Sequence, residues 1–316
     1  MNLVINRSSK FVGMGLAILV TVSLGALTFL SAVSHGEIKL ASGKGKIILT
    51  ARKSDVAPAT IAGLDESLPV PSDTFFVLVI GNDYRPGVEG KRADSIHLLG
   101  INPKEKKASM INFPRDTNVA IPGHGTNKIN AANAFGGSEL TAKTLEQLTG
   151  VSISYTLETD FAGFTVLIDS LGGLDVNVEK AMKDSNSGSN FSPGVTHMNG
   201  ATALSYSRDR HSFPIGDLQR SQNQGHLLIA ALTEMQTKKN STTSKFEAAY
   251  AITKNVQLKN LSLSDVYYLM ELASDLKPAD VSNITVPWAG SEKLAPKAND
   301  LFNDFKDNGI INTYTP

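Results

Sequence analysis

Asp83, Arg85, Arg92, Asp94, Arg115 and Asp116 bring three carboxylates and three guanidiniums into one stretch of the chain. A second group follows at Arg208, Arg210, Asp217 and Arg220, with Gln224 four residues past Arg220. Two kinds of chemistry suit such a set. The charges can neutralise one another as a structural ion-pair network. Alternatively, the carboxylates can hold a hard cation such as magnesium while the arginines grip phosphate oxygens. Magnesium takes one or two protein carboxylates plus substrate phosphate, which fits Asp83 and Asp94. Spacing alone leaves both readings open. The chain has eight arginines, Arg7, Arg52, Arg85, Arg92, Arg115, Arg208, Arg210 and Arg220, and none in its last 96 residues, where lysine is used instead. Arginine is the better residue for bidentate phosphate contacts, so this uneven use favours a local anion site, with ordinary surface pairs as the alternative.

The elements that must position these residues are readable. Thr74 to Ile80 is a continuous apolar run ending at Gly81, the pattern of a buried strand. Ser95–Ile101 and Ala108–Phe113 read as two more strands, and the polar turn Asn102–Lys106 joins them as an antiparallel hairpin. Because the turn lies at one edge, Asp94 and Arg115-Asp116 belong together at the open end. Asp83 and Arg85 follow the first strand, so all six charges gather at one rim of the sheet. Open α/β sheets usually place ligands at such a rim. Downstream, Ser138–Leu148 reads as a helix stopped by Gly150, and Tyr155–Thr159 as a strand. Asp160 suits the N-cap of a helix through Leu171, stopped by Gly172. That helix is apolar around much of its girth, which reads as core more readily than as a lipid-lining wall. Leu174–Val178 is a further strand, and 183–193 is loop-like. Leu218–Met235 and Ser264–Leu276 are helices, and Ile284–Pro287 a last strand. Arg220 and Gln224 share one face near the start of their helix, whose positive end favours an anion. Intermixed strands and helices make the class α/β or α+β, with a central mixed β-sheet under helices.

Bulk properties exclude several functions. Thirty basic and thirty acidic residues give zero formal net charge, so nothing draws the chain to nucleic acid. There is no cysteine, hence no disulfide, thiolate or cysteine-rich zinc chemistry. No Gly-x-Ser-x-Gly elbow and no Walker A loop occurs. The six histidines are scattered, without metal-ligand spacing. No general base is identifiable, an aspartate at the rim being one option.

Phe11 to Val33 carries no charge and is long enough to cross a bilayer as a helix. Arg7 and Lys10 precede it, which favours a cytoplasmic N-terminus, residues 1–10, and an extracytoplasmic remainder. A cleaved signal peptide is the rival, but its apolar region would be shorter. Residues 34–72 are polar and rich in small residues and proline, suiting a linker in which a short strand near 46–50 is allowed. The catalytic domain is expected over 73–316, with no role assignable to 238–316.

Taken in order, Gly81-Asn-Asp83-Tyr-Arg85, Arg92-Ala-Asp94-Ser95, Pro114-Arg115-Asp116-Thr117 and Lys128-Ile-Asn130-Ala-Ala resemble successive motifs of the LytR–CpsA–Psr family. So do Gly136-Gly137, Asp160-Phe161 with Gly163-Phe164, Leu171-Gly-Gly173, Arg208-Asp-Arg210 and Asp217-Leu-Gln-Arg220. Each motif is weak alone; their order and spacing make the match specific. The resemblance implies an αβα layered α/β domain, a central mixed sheet flanked by helices, that holds a polyprenyl diphosphate with its tail in an apolar groove. It implies transfer of a glycopolymer from that lipid to a peptidoglycan hydroxyl, forming a phosphodiester. By the same resemblance Asp83 and Asp94 bind magnesium. Arg85, Arg92, Arg115, Arg208, Arg210 and Arg220 surround the diphosphate and Gln224 completes the contacts. Arg115, Asp94 and Arg92 are the residues it makes catalytic, Arg115 foremost. Asn223 stands where the family often has a further arginine; Tyr84 replaces its usual serine, and Ala93-Asp94-Ser95 its Ser-Asp-Thr. The implied partners are the lipid-linked glycan, peptidoglycan and the membrane, with no nucleic acid. A lipid diphosphate phosphatase, or a non-catalytic lipid- or glycan-binding wall-assembly protein, is the alternative.

Overall fold

The computed structural model describes residues 47–51, 74–83, 92–237, 256–259, 272, 273, 275–290 and 292–312. The span expected over 11–33 lies outside them, as do most of the linker and of the helix expected over 264–276. Among the described residues no helix is long and apolar enough to cross a membrane. Chain order begins with β1 (Ile47–Ala51), β2 (Phe75–Asn82), β3 (Ala93–Asn102), β4 (Lys107–Asn112), β5 (Asn118–Ile121) and β6 (Gly125–Lys128). Then come α1 (Asn130–Thr149), β7 (Ile153–Asp160), α2 (Phe161–Ser170), β8 (Leu174–Val178), β9 (Met182–Asp184), β10 (Ser189–Phe191) and β11 (Gly194–Met198). The rest is α3 (Gly200–Arg208), α4 (Gly216–Thr237), β12 (Val256–Lys259), a 3-10 turn (Pro278–Asp280), β13 (Val281–Thr285) and α5 (Ala298–Asn308).

Seven strands make one mixed sheet in the order β12-β1-β7-β2-β3-β4-β13. The hairpin β3–β4 is antiparallel, with His97 directly opposite Asn112. β2 pairs antiparallel with β3 and parallel with β7, setting Asn82 beside Asp160. The stretch read as a linker thus supplies a strand: β1, built from Ile47-Ile-Leu, pairs with β7 and β12 inside this sheet. Folded structure therefore begins upstream of position 72.

Period-two alternation gives the central strands two different faces. Leu78, Ile80, Ile96, Leu98 and Ile111 lie in one core cluster with Ala142 and Leu145 of α1 and Leu301, Phe302 and Phe305 of α5. Full burial of each large side chain contributes roughly 1.5–3 kcal/mol, so this face anchors the sheet. α5 buries positions 298, 301, 302 and 305, the spacing of one helical stripe. The segment past 238, for which the sequence offers no role, thus covers one face of the sheet and extends its edge through β13.

Several elements differ from expectation. α1 starts at Asn130, not at 138, because Gly136 and Gly137 leave helical geometry and interrupt the pattern within one longer element. Its end is as read, at Gly150 with φ 75°. The expected loop 183–193 contains the hairpin β9–β10, whose polar strands carry no apolar alternation. β8 forms where expected but pairs only with β11, outside the main sheet. β13 begins three residues before the expected Ile284 and runs parallel to β4. On the sheet's second face lie α2, α3 and α4, whose Ile168, Tyr206 and Leu227 belong to a separate core cluster.

Candidate functional site

The hairpin geometry brings its open end to one rim. Asp94 is the second residue of β3, Arg115-Asp116 follows β4, and Asp83 follows β2. β7, parallel to β2, ends at the same rim, where Asp160 caps α2 by accepting the Gly163 N–H at 2.8 Å. The end of α3 and the start of α4 complete the surround with Arg208, Arg210, Asp217 and Arg220. Gly216 permits the last approach: a Cβ there would sit 1.9 Å from the Arg210 carbonyl oxygen.

Three aspartates organise the guanidiniums. Arg115 Nη1 donates to Asp94 Oδ1 at 2.8 Å, and Arg115 Nε lies 3.8 Å from Asp116 and 4.0 Å from Asp217. Asp217 Oδ1 also faces Arg210 Nε at 3.5 Å and Arg220 Nη2 at 2.7 Å. Lys128 closes the outer side, 3.2 Å from Asp116 and 3.1 Å from Glu292. Burial works against the Arg115 charge, but the Asp94 hydrogen bond and the charges of Asp94, Asp116 and Asp217 outweigh it and raise its pKa. Arg220 is the reverse case: burial dominates and lowers its pKa despite Asp217. Arg208 stands apart, 5.2 Å over the Phe161 ring.

Three of these donors are not satisfied by the protein: Arg115 Nε and Arg220 Nε and Nη2 are buried with no hydrogen-bond partner. The acceptor Gln224 Oε1 is likewise buried without a donor. The 2.7 Å approach of Arg220 to Asp217 is thus an ion contact without an aligned hydrogen bond. A buried unsatisfied group costs about 1–3 kcal/mol, and more when charged. A ligand with several acceptor oxygens removes that cost.

The site opens into a cavity of about 330 Å³ with two chemically distinct ends. Asp83, Asp94, Arg115, Arg208, Arg210, Arg220 and Gln224 line the polar end. Phe164, Leu167, Leu204, Leu227, Leu228 and Ala231 line the apolar end. This corrects the reading of α2 as plain core: within it only Gly163 and Ile168 are buried, while Phe161, Phe164 and Leu167 face the cavity. The helix is apolar on several sides because one side packs and another bounds a hollow.

Of the residues singled out in the sequence, Asp83, Asp94, Arg115, Arg208, Arg210, Arg220 and Gln224 meet at this cavity. Arg92 is exposed just before β3 and is not among the lining residues. Arg85 lies outside the described residues. Among the described residues no group of three or more histidines or carboxylates could hold a metal. Asp83 and Asp94 both line the cavity; a magnesium ion held by two carboxylates would draw its other ligands from phosphate oxygens and water.

Sequence reading missed two features. His97 lines the cavity yet is 1% exposed, with Nε2 2.7 Å from Ser95 Oγ and Nδ1 2.6 Å from Asn112 Oδ1. Burial lowers its pKa to about 4, the Asn112 bond opposing. The only available signal was its alternation with core residues along β3. His211 also lines the cavity, with Nδ1 2.9 Å from Asp184 Oδ2. Those partners are 27 positions apart, and Asp184 ends β9, a strand in a stretch that the sequence marks as loop.

The model of the LytR_cpsA_psr family matches residues 41–306. The polyisoprenyl-teichoic acid–peptidoglycan teichoic acid transferase TagU of Bacillus cereus is 36% identical over 196 residues, covering 62% of this chain and 63% of that protein. TagU of Bacillus subtilis is 32% identical over 235 residues, covering 71% of this chain and 74% of its own length. The alignment thus spans somewhat under two thirds of the first relative and about three quarters of the second. Among solved structures, the family protein YwtF (TagT) with bound octaprenyl pyrophosphate lipid superposes with a TM-score of 0.57 at 26% identity, covering 78% of this chain and 95% of that one.

Proposed function

The chain belongs to the LytR–CpsA–Psr family, and on that premise we propose that it is a phosphotransferase joining a glycopolymer to peptidoglycan. The donor is a polyprenyl diphosphate-linked glycan, and the product is a phosphodiester in the cell wall. One observation carries this reading: a single cavity joins a polar end rich in guanidiniums to an apolar end between α2, α3 and α4. A diphosphate on an isoprenoid tail has those two chemistries in that order. The relatives' transferase names and the octaprenyl pyrophosphate held by the YwtF neighbour support the same donor.

In this reading Arg115, Arg210 and Arg220 bind the diphosphate oxygens, with Gln224 beside them and Arg208 at the Phe161 side. Arg85 and Arg92 are assigned to the same diphosphate on the family resemblance alone. Asp83 and Asp94 would hold magnesium, which supplies charge neutralisation to the diphosphate when bound. Asp94 also fixes Arg115 through its 2.8 Å hydrogen bond. Transfer then needs alignment and charge neutralisation rather than a covalent protein nucleophile. A peptidoglycan hydroxyl attacks the glycan-bearing phosphorus, and polyprenyl phosphate departs with its tail still in the apolar end. The uncharged span 11–33 would anchor the chain in the cell membrane, with residues 1–10 cytoplasmic and the catalytic domain outside.

Mass spectrometry of lipid extracted from the purified full chain tests the donor. Polyprenyl phosphate or diphosphate on the wild type, and its loss from a folded Arg115→Ala variant, is the expected result. Equal lipid on both removes Arg115 from the site.

A further inference from the structure

The transfer reaction needs a group that accepts the proton of the incoming hydroxyl, and the arginine-paired aspartates suit it poorly. Asp94, Asp116 and Asp217 each face a guanidinium between 2.7 and 4.0 Å, so protonating one of them forfeits that pairing. His97 is enclosed, both ring nitrogens being engaged by Ser95 and Asn112. His197 pairs with Asp175 away from the cavity lining. His211 differs from all of these. Its side chain is 62% exposed, it lines the cavity, and it follows Arg210 directly.

The partner of His211 fixes its chemistry. Asp184, 2% exposed at the end of β9, accepts from His211 at 2.9 Å, from the Asn186 N–H at 2.9 Å and from the Arg210 N–H at 3.3 Å. Burial opposes the Asp184 charge, but the His211 hydrogen bond and the two backbone donors outweigh it, so its pKa falls well below the usual carboxylate range. An ionised carboxylate only accepts, so Nδ1 of His211 carries the hydrogen. Nε2 is then a lone-pair acceptor on the exposed edge of the ring. The charged neighbours are Asp184 on β9, Asp209 and Arg210 in the same loop, and Arg208 at the end of α3. Asp209 is fully buried and is held by Ser189 and Ser212. Arg210 turns its Nε toward Asp217 at 3.5 Å.

We propose that His211, oriented by Asp184, is the general base that takes the proton from the acceptor hydroxyl. The inference rests on the transferase reading above and assigns its missing step. The hydroxyl oxygen bonds to the glycan-bearing phosphorus while the bond from that phosphorus to the bridging oxygen breaks. The electron pair leaves with polyprenyl phosphate. The hydroxyl proton moves to His211 Nε2 and then to solvent. Its exposed position suits a polymeric acceptor that arrives from outside, while the donor's tail occupies the far end of the cavity.

The test uses the full chain in detergent with a polyprenyl diphosphate-linked glycan and a soluble peptidoglycan fragment. General base catalysis contributes typically 10²–10⁴-fold, so His211→Gln should slow transfer by about 10²-fold or more. Co-purified lipid should stay at the wild-type level, and the acid side of the pH–rate profile should flatten. Imidazole in the medium should return part of the rate to His211→Ala but not to Arg115→Ala. Transfer by His211→Gln at the wild-type rate overturns the proposal, as does loss of transfer together with bound lipid. A wild type that holds lipid but joins no glycan overturns the transferase reading itself.

Discussion

Arg220 Nη2 lies 2.7 Å from Asp217 Oδ1, yet neither atom completes an aligned hydrogen bond within the protein. Both side chains are at most 10% exposed. The same carboxylate oxygen also serves Arg210 and, more distantly, Arg115. One aspartate thus keeps three guanidiniums close together without satisfying them. That arrangement holds donors ready for an anion, at a cost to the stability of the fold.

Asp217→Asn removes the shared negative charge. Breaking a buried ion pair typically costs on the order of 3–5 kcal/mol, so the variant should unfold at lower temperature. Geranylgeranyl diphosphate should raise its midpoint more than that of the wild type, since the anion replaces the missing charge. Thermal unfolding with and without that lipid measures both effects. An equal rise in the two proteins means Asp217 is not what holds the arginines.

Much of this site was legible in the sequence because it depends on local rules. The polar turn Asn102–Lys106 alone fixes which ends of β3 and β4 are open, and so puts Asp94 near Arg115. Asp160 and Gly150 act as helix punctuation where their residue types suggest. What stayed hidden depends on long-range packing. The strands β6, β9 and β10 are short and largely polar, so no apolar period marks them. Without β9, nothing in the sequence joins Asp184 to His211. The two sides of α2 look alike in composition, and only the folded chain shows which one bounds the hollow.

The apolar end of the cavity should be blockable without touching a charge. Ala231→Trp places a large side chain among Leu227, Leu228 and Leu167, all at the lining. Overpacking costs typically 1–3 kcal/mol, which the fold should survive. Co-purified polyprenyl lipid should fall at least tenfold while circular dichroism is unchanged. Wild-type lipid content in Ala231→Trp would place the tail elsewhere.

His97 makes stability depend on pH. Its folded pKa is lowered from 6.5 to about 4, so the unfolded chain binds the proton more readily. Its contribution is complete above about pH 6.5 and is lost as pH falls toward 4. At about 1.4 kcal/mol per pH unit, the loss is on the order of 3 kcal/mol. Replacing the imidazole in His97→Gln should flatten this part of the curve of unfolding free energy against pH. An unchanged slope between pH 6.5 and 4 would show that other groups set it.

Asp83 and Asp94 together should make transfer depend on magnesium. Chelation should slow the wild type by about 10²-fold or more, as loss of a charge-stabilising group does. Added magnesium should restore it. Asp83→Asn should need more magnesium for half its maximal rate. Full activity in excess chelator would separate these carboxylates from any metal.

The most direct test follows a glycan-labelled polyprenyl diphosphate donor incubated with the full chain, magnesium and a soluble peptidoglycan fragment. The account predicts label joined to the peptidoglycan through a phosphodiester, with one polyprenyl phosphate released per transfer and no reaction by Arg115→Ala. Label recovered only as free glycan phosphate, at the same rate with or without peptidoglycan, would contradict it and make the protein a hydrolase.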